Sequence, residues 1–176
     1  MKNLHKYLVI ALAIGLFALT GCEKTKEDIK YGRADYAAHG TKAFATVSVV
    51  MVGDKIEIAY IDEYQFSSAD TFTCVPNGDT TFATTSTAGA KQCLASKRLN
   101  TELYSANMSA NGGATKTLLE GYKAVEEYAQ GKTIKELEDF LAGKTPEQVV
   151  DAVSSATLVD VKGYLEAIIL AAKAAK

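Results

Sequence analysis

Residues 43–62, AFATVSVVMVGDKIEIAYID, decide the fold. Ala45, Val47, Val49 and Met51 recur at every second position with Thr46 and Ser48 between them, the period of a strand with one buried face. Ile56, Ile58 and Tyr60 alternate with Lys55 and Glu57 in the same way, and Gly53-Asp54 supplies a two-residue hairpin turn between the runs. Strands are therefore expected over 43–52 and 55–62, after a first short strand ending near Ala38. The link His39-Gly40-Thr41-Lys42 has turn composition, which makes His39 a turn or surface histidine rather than a ligand.

Downstream the period changes. Residues 65–100 are rich in Thr, Ser, Ala and Gly around the turn Pro76-Asn77-Gly78-Asp79 and show no sustained pattern, so they are expected to form a long loop. After Asn111-Gly112-Gly113, helical spacing runs from Leu118 through Tyr122 and Val125 to Ala129, and a shorter helix is expected from Ile134 to Leu141. Thr145-Pro146-Glu147-Gln148 is a capping box with proline at the first helical position, predicting a short helix over 147–150. A last helix is expected from about Leu158 to Ala174, its stripe being Val161, Tyr164, Leu165, Ile168, Ile169 and Ala172. Strands first and helices after give an α+β fold, an antiparallel sheet in the N-terminal half packed by C-terminal helices.

The chain opens with Lys2 and Lys6, then an apolar run from Tyr7 to Leu19 that is short for a bilayer span, and closes it with Leu19-Thr20-Gly21-Cys22. This is the pattern of a bacterial lipoprotein export signal: residues 1–21 are removed and Cys22 carries the lipid, palmitate-like chains included. Two acyl chains, at about 0.8 kcal/mol per buried methylene, hold a protein on the bilayer stably. The expected location is the extracytoplasmic side of a cell membrane. Residues 22–30 are charged and read as a tether, leaving 31–176 as a single domain. Removing 21 of 176 residues leaves 155, and losing Lys2 and Lys6 takes the net charge from −2 to −4. That balance gives no reason to expect nucleic-acid binding.

With Cys22 lipidated, Cys74 and Cys93 either join in a disulfide, which an oxidising compartment permits, or stand as two small core thiols. Export also removes His5 and leaves His39 alone, so no metal site is expected. Asp62 and Glu63 are expected at a solvated strand end, and Lys91, Lys97 and Arg98 on an ordinary charged surface.

The segment between the last two helices is Asp151-Ala152-Val153-Ser154-Ser155-Ala156-Thr157, small and rich in hydroxyls, leading into a helix start. Free amides and the positive end of a helix favour an anion there. Thr157 with Asp160 three residues on also describes a helix N-cap. The string DAVSSAT resembles the covalent flavinylation motif of the FMN-binding domain family, exported or membrane-complex flavoproteins. Asp151 matches the family's Asp, Ser154 its hydroxyl position, Ser155 its small position (more often Gly), Ala156 its Ala and Thr157 its acceptor Thr. The strand and hairpin from Tyr31-Gly32 to Asp62 are similar as well.

The resemblance implies FMN held by a phosphoester on Thr157, installed by a flavin transferase. It implies a redox carrier rather than an independent enzyme, passing electrons from a membrane electron donor to an extracellular or periplasmic electron acceptor. Tyr60, Tyr64, Phe66 and Tyr104 are candidates to stack on the flavin ring. The alternative is a non-catalytic ligand-binding or structural cell-surface lipoprotein in which Thr157 caps a helix and the loop 65–100 holds the ligand.

Overall fold

The computed structural model describes residues 28–39, 43–79, 91–153 and 160–176. Cys22, where a lipid is expected, Gly40, where a turn is expected, and Ser154, Ser155, Ala156 and Thr157 lie outside the described residues. Four strands, β1 (Ile29–Tyr36), β2 (Ala43–Val52), β3 (Lys55–Ser68) and β4 (Gln92–Ser96), form one antiparallel sheet in that order. Among the described residues five helices follow: α1 (Thr101–Gly112), α2 (Leu118–Ala129), α3 (Ile134–Leu141), α4 (Pro146–Ala152) and α5 (Val161–Lys173). The α+β architecture expected from the sequence is the one observed.

Alternation decides β2: Ala43, Ala45, Val47, Val49 and Met51 are all buried on one face. Its partner departs from simple alternation. Val50 pairs with Ile58 but Met51 pairs with Ile56, so Glu57 is an extra residue and the strand bulges there. One inserted residue exchanges the faces. Ile58 and Tyr60, expected inside, are therefore 55% and 50% exposed, while Ala59 and Ile61 enter the core beside Ile56.

Helix α5 lies across β1 and β2 and brings Leu165, Ile168 and Ala172 onto Val47 and Val49. Two glycines permit the approach. A Cβ at Gly163 would stand 2.7 Å from the Ala38 carbonyl oxygen, and one at Gly32 would strike the Ala171 carbonyl. At its far end Lys176 exchanges backbone hydrogen bonds of 3.2 Å with Tyr31, covering part of the β1 edge. Helix α2 packs on β3, and α3 and α4 pack on α5. Thr117, Thr133 and Thr145 each close a reciprocal capping box, with Glu120, Glu136 and Gln148, which fixes where α2, α3 and α4 begin.

Several boundaries differ from expectation. β1 opens at Ile29, inside the segment read as a tether, because its whole length pairs with β2. β3 runs on past Asp62 to Ser68, because β4 pairs with Tyr64 to Ser68. The stretch 65–100 is thus not one loop. Its described part is pinned by a Cys74–Cys93 disulfide, Cα to Cα 5.8 Å, and by Asn100, whose side chain donates to the Thr73 and Ser96 carbonyls and accepts from Thr73 N–H. Helix α1 was not expected, since TELYSANMSANG buries no residue fully and has no apolar stripe. Helix α4 extends to Ala152, and α5 begins at Val161 rather than near Leu158.

Candidate functional site

Beyond the bulge the buried face of β3 turns polar. Ile61 is followed at the same face by Glu63, Gln65 and Ser67, and Glu63 has no exposed surface. Its partner comes from the turn after β4, where Lys97 is 5% exposed and its ammonium meets Glu63 Oε2. Tyr164 of α5 donates its hydroxyl to the same oxygen at 2.9 Å. Glu63 Oε1, equally buried, has no hydrogen-bond partner among the described residues. Buried carboxylates are normally satisfied on both oxygens, so this atom marks the place where the core stops being ordinary packing.

Neighbouring groups fix the cluster. The Tyr122 ring meets Tyr164 edge to face at 5.4 Å. Burial, followed by the nearby Glu63 charge, pushes the Tyr122 phenol up; burial together with Tyr122 and Glu63 does the same to Tyr164, so both remain O–H donors. Lys97 Nζ stands 5.2 Å from the centre of the Tyr104 ring, and Tyr104 donates to Gln65 Oε1 at 2.9 Å. Desolvation also raises the Tyr104 phenol.

A cleft of about 280 Å³ opens over this cluster. Its back wall is Lys97, Tyr164 and Gln65; Tyr104, Asn107 and Met108 of α1 form one side, and Ala114 and Leu118 continue that side toward α2. The mouth is flanked by His39 and Asp160, whose side chains are bonded through His39 Nδ1 and Asp160 Oδ2. Two larger grooves, of about 550 and 590 Å³, lie along the α3 side of the molecule and contain no buried polar side chain.

Asp160 stands at the N-cap of α5 but makes no side-chain cap bond, its carboxylate being engaged by His39. The N-cap position of α5 is held by Asp160, and Thr157, expected as the cap in the alternative reading, lies outside the described residues. Of the motif residues, Asp151 is described, exposed in the last turn of α4. Buried Val153 and cleft-lining Asp160 hold the two ends of the segment that contains the other four.

Asp62 and Glu63 are not a solvated strand end. Asp62 accepts from Ser96 Oγ at 2.7 Å and from Arg98 N–H at 3.1 Å, and Glu63 is core. Arg98 is not an ordinary surface cation either: it donates to the Ile61 carbonyl and to Glu126 while stacking on Tyr60 at 4.1 Å. With Glu126 accepting from Ile61 N–H at 2.8 Å, two side chains satisfy the β3 edge that β4 leaves unpaired. Of the four aromatic candidates for ring stacking, Tyr104 lines the cleft; Tyr60, Tyr64 and Phe66 fall on the opposite face of the sheet. Glu63, Lys97 and Tyr164 were missed as site residues, because the alternation read from the sequence put Ile58 and Tyr60 inside and only the bulge at Glu57 turns Glu63 to the core face.

Among the described residues no group of three or more His, Cys, Asp or Glu side chains is placed to hold a metal ion, and no helix is long and apolar enough to cross a membrane. The fold and site define a one-sided α+β layer with a polar-backed cleft at one end. No family model, curated protein or solved structure matches the chain.

Proposed function

We propose that this chain is a membrane-anchored extracytoplasmic flavoprotein, holding FMN covalently on Thr157 and the bilayer through Cys22, and serving electron transfer between a membrane donor and an outside acceptor. One observation carries the reading: the motif Asp151–Thr157 leads into Asp160, and Asp160 flanks the mouth of a cleft backed by a buried charge pair.

The residues present suit the group. At about 280 Å³ the cleft falls just under the about 300–1,000 Å³ usual for ligand sites, so it would take the ring portion of FMN rather than the whole cofactor. Met108, Ala114 and Leu118 offer apolar contact, Tyr104 an aromatic edge, and Gln65 and Asn107 hydrogen-bonding groups. FMN, when bound, supplies reversible electron uptake. The chain binds and orients it: the Thr157 hydroxyl holds the phosphate, Ser155 and Ala156 keep the approach open, and Asp151, exposed on α4, is available to the transferase.

The test is the intact mass of the mature domain, produced with and without an exported flavin transferase, beside Thr157→Ala. A transferase-dependent gain of one FMN, absent from Thr157→Ala, supports the reading. No gain, while the same transferase modifies another acceptor in those cells, refutes it and favours a lipoprotein whose cleft takes a ligand non-covalently.

A further inference from the structure

The covalent motif does not account for the charge pair behind the cleft. Removing a carboxylate and an ammonium from water is costly, and apolar side chains of the same volume would serve the fold at least as well. Yet Glu63 is wholly buried and Lys97 nearly so. The pair is also oriented. Lys97 and Tyr164 line the cleft, whereas Glu63 stands behind them, its Oε2 engaged by both. An ammonium has three N–H donors, and the carboxylate engages one side of this one.

We infer that the Lys97–Glu63 ion pair, held with Lys97 at the cleft wall and Glu63 behind it, is a fixed dipole whose positive end makes the cleft favour the reduced, anionic flavin ring over the oxidised one. This rests on the flavin reading above. A flavin ring held there would gain one negative charge on taking up two electrons from the membrane electron donor and one proton from solvent. That charge exists only after reduction, so a cation at the wall stabilises one redox form and leaves the other unaffected. Because Lys97 is nearly buried, its interaction with a ring seated against it would be weakly screened. His39 and Asp160, paired at the mouth, contribute no comparable buried cation. Lys97 is thus a positioning and tuning residue, and Glu63 and Tyr164 act through it.

The experiment uses the full chain loaded by the transferase, with covalent FMN counted by intact mass and the midpoint potential measured by spectroelectrochemistry. Lys97→Met alone would strand a buried carboxylate, so the variant is Lys97→Met/Glu63→Gln. Lys123→Met, on an exposed face of α2, is the control. The expected result is full FMN loading in both, with the control at the wild-type potential and the double variant lower. A tenfold loss of preference for the reduced ring is a fall of about 30 mV for a two-electron couple. A second variant leaves the core untouched: Asn107→Lys, exposed on α1 at the cleft wall, adds a cation and is expected to raise the potential. Full loading with an unchanged potential in the double variant, or in Asn107→Lys should the double variant not fold, overturns the inference and leaves the flavin reading standing. Wild-type protein that takes no FMN overturns both.

Discussion

Beneath β1 and β2, α5 meets the sheet through Val47, Val49, Leu165 and Ile168, none of them more than 1% exposed. Beneath β3 and β4, the same layer is closed by Glu63, Lys97, Tyr122 and Tyr164, at most 5% exposed and each carrying a polar group. The first region needs only shape and apolar area, which roughly 25 cal/mol per Å² of burial rewards. The second depends on each charge keeping its partner, and one carboxylate oxygen has none among the described residues. A chain that can pack an apolar core at one end and puts an ion pair at the other has spent stability there, and the cleft opens on that side.

The sharpest way to break this contrast is Lys97→Met. It should cost about 3–5 kcal/mol by stranding the Glu63 charge, measured by urea unfolding, and Lys97→Met/Glu63→Gln should recover most of that loss. A double variant no more stable than the single one would mean that the pair holds the fold rather than the site. Next in size is the disulfide. Cys74→Ser with Cys93→Ser opens a link spanning 19 residues and should cost about 3 kcal/mol, since the 69–79 segment is otherwise tied to β4 chiefly through Asn100 and a few backbone bonds. In the apolar region, Ile168→Val should cost only about 0.5–1.5 kcal/mol and leave the cleft unaltered. A change in FMN loading from Ile168→Val would erase the distinction between the two ends.

The apolar half was legible because its signals are local and redundant. β2 repeats its pattern five times, its turn is two residues long, and α5 carries a full stripe. The polar half was not, for a different reason at each place. Glu57 alone shifts the face of β3, and a single insertion leaves no trace in composition. Asp62-Glu63 resembles a solvated strand end unless Lys97, 34 positions away, is known to be opposite. α1 lies over the cleft with no residue fully buried, so it lacks the stripe that announces a helix, and its limit shows mainly in the left-handed Gly113 that ends it. Of the site, the motif at 151–157 could be read as a string; the cleft could not, since β3, the turn after β4, α1, the start of α2, α5 and the turn at His39 each contribute part of its wall.

The smallest effect sits where the two regions meet, at Glu126. Its carboxylate accepts from Ile61 N–H and from Arg98, at 2.8 and 2.5 Å, yet burial outweighs these bonds and raises its pKa above 4.5. A carboxyl that holds its proton more tightly in the folded chain contributes stability that is complete below the unfolded value and is lost as pH rises through the folded one. Glu126→Gln keeps an acceptor for Ile61 N–H and removes the titration. The stability of the wild type relative to Glu126→Gln should therefore decline as pH rises through and above the ordinary carboxyl range, measured as the difference in urea midpoints. A difference that instead grows with pH would show that the Arg98 pair wins over burial. The β3 edge would then belong with the charge-paired region, and the boundary between the two kinds of interior would move one helix outward, to α2.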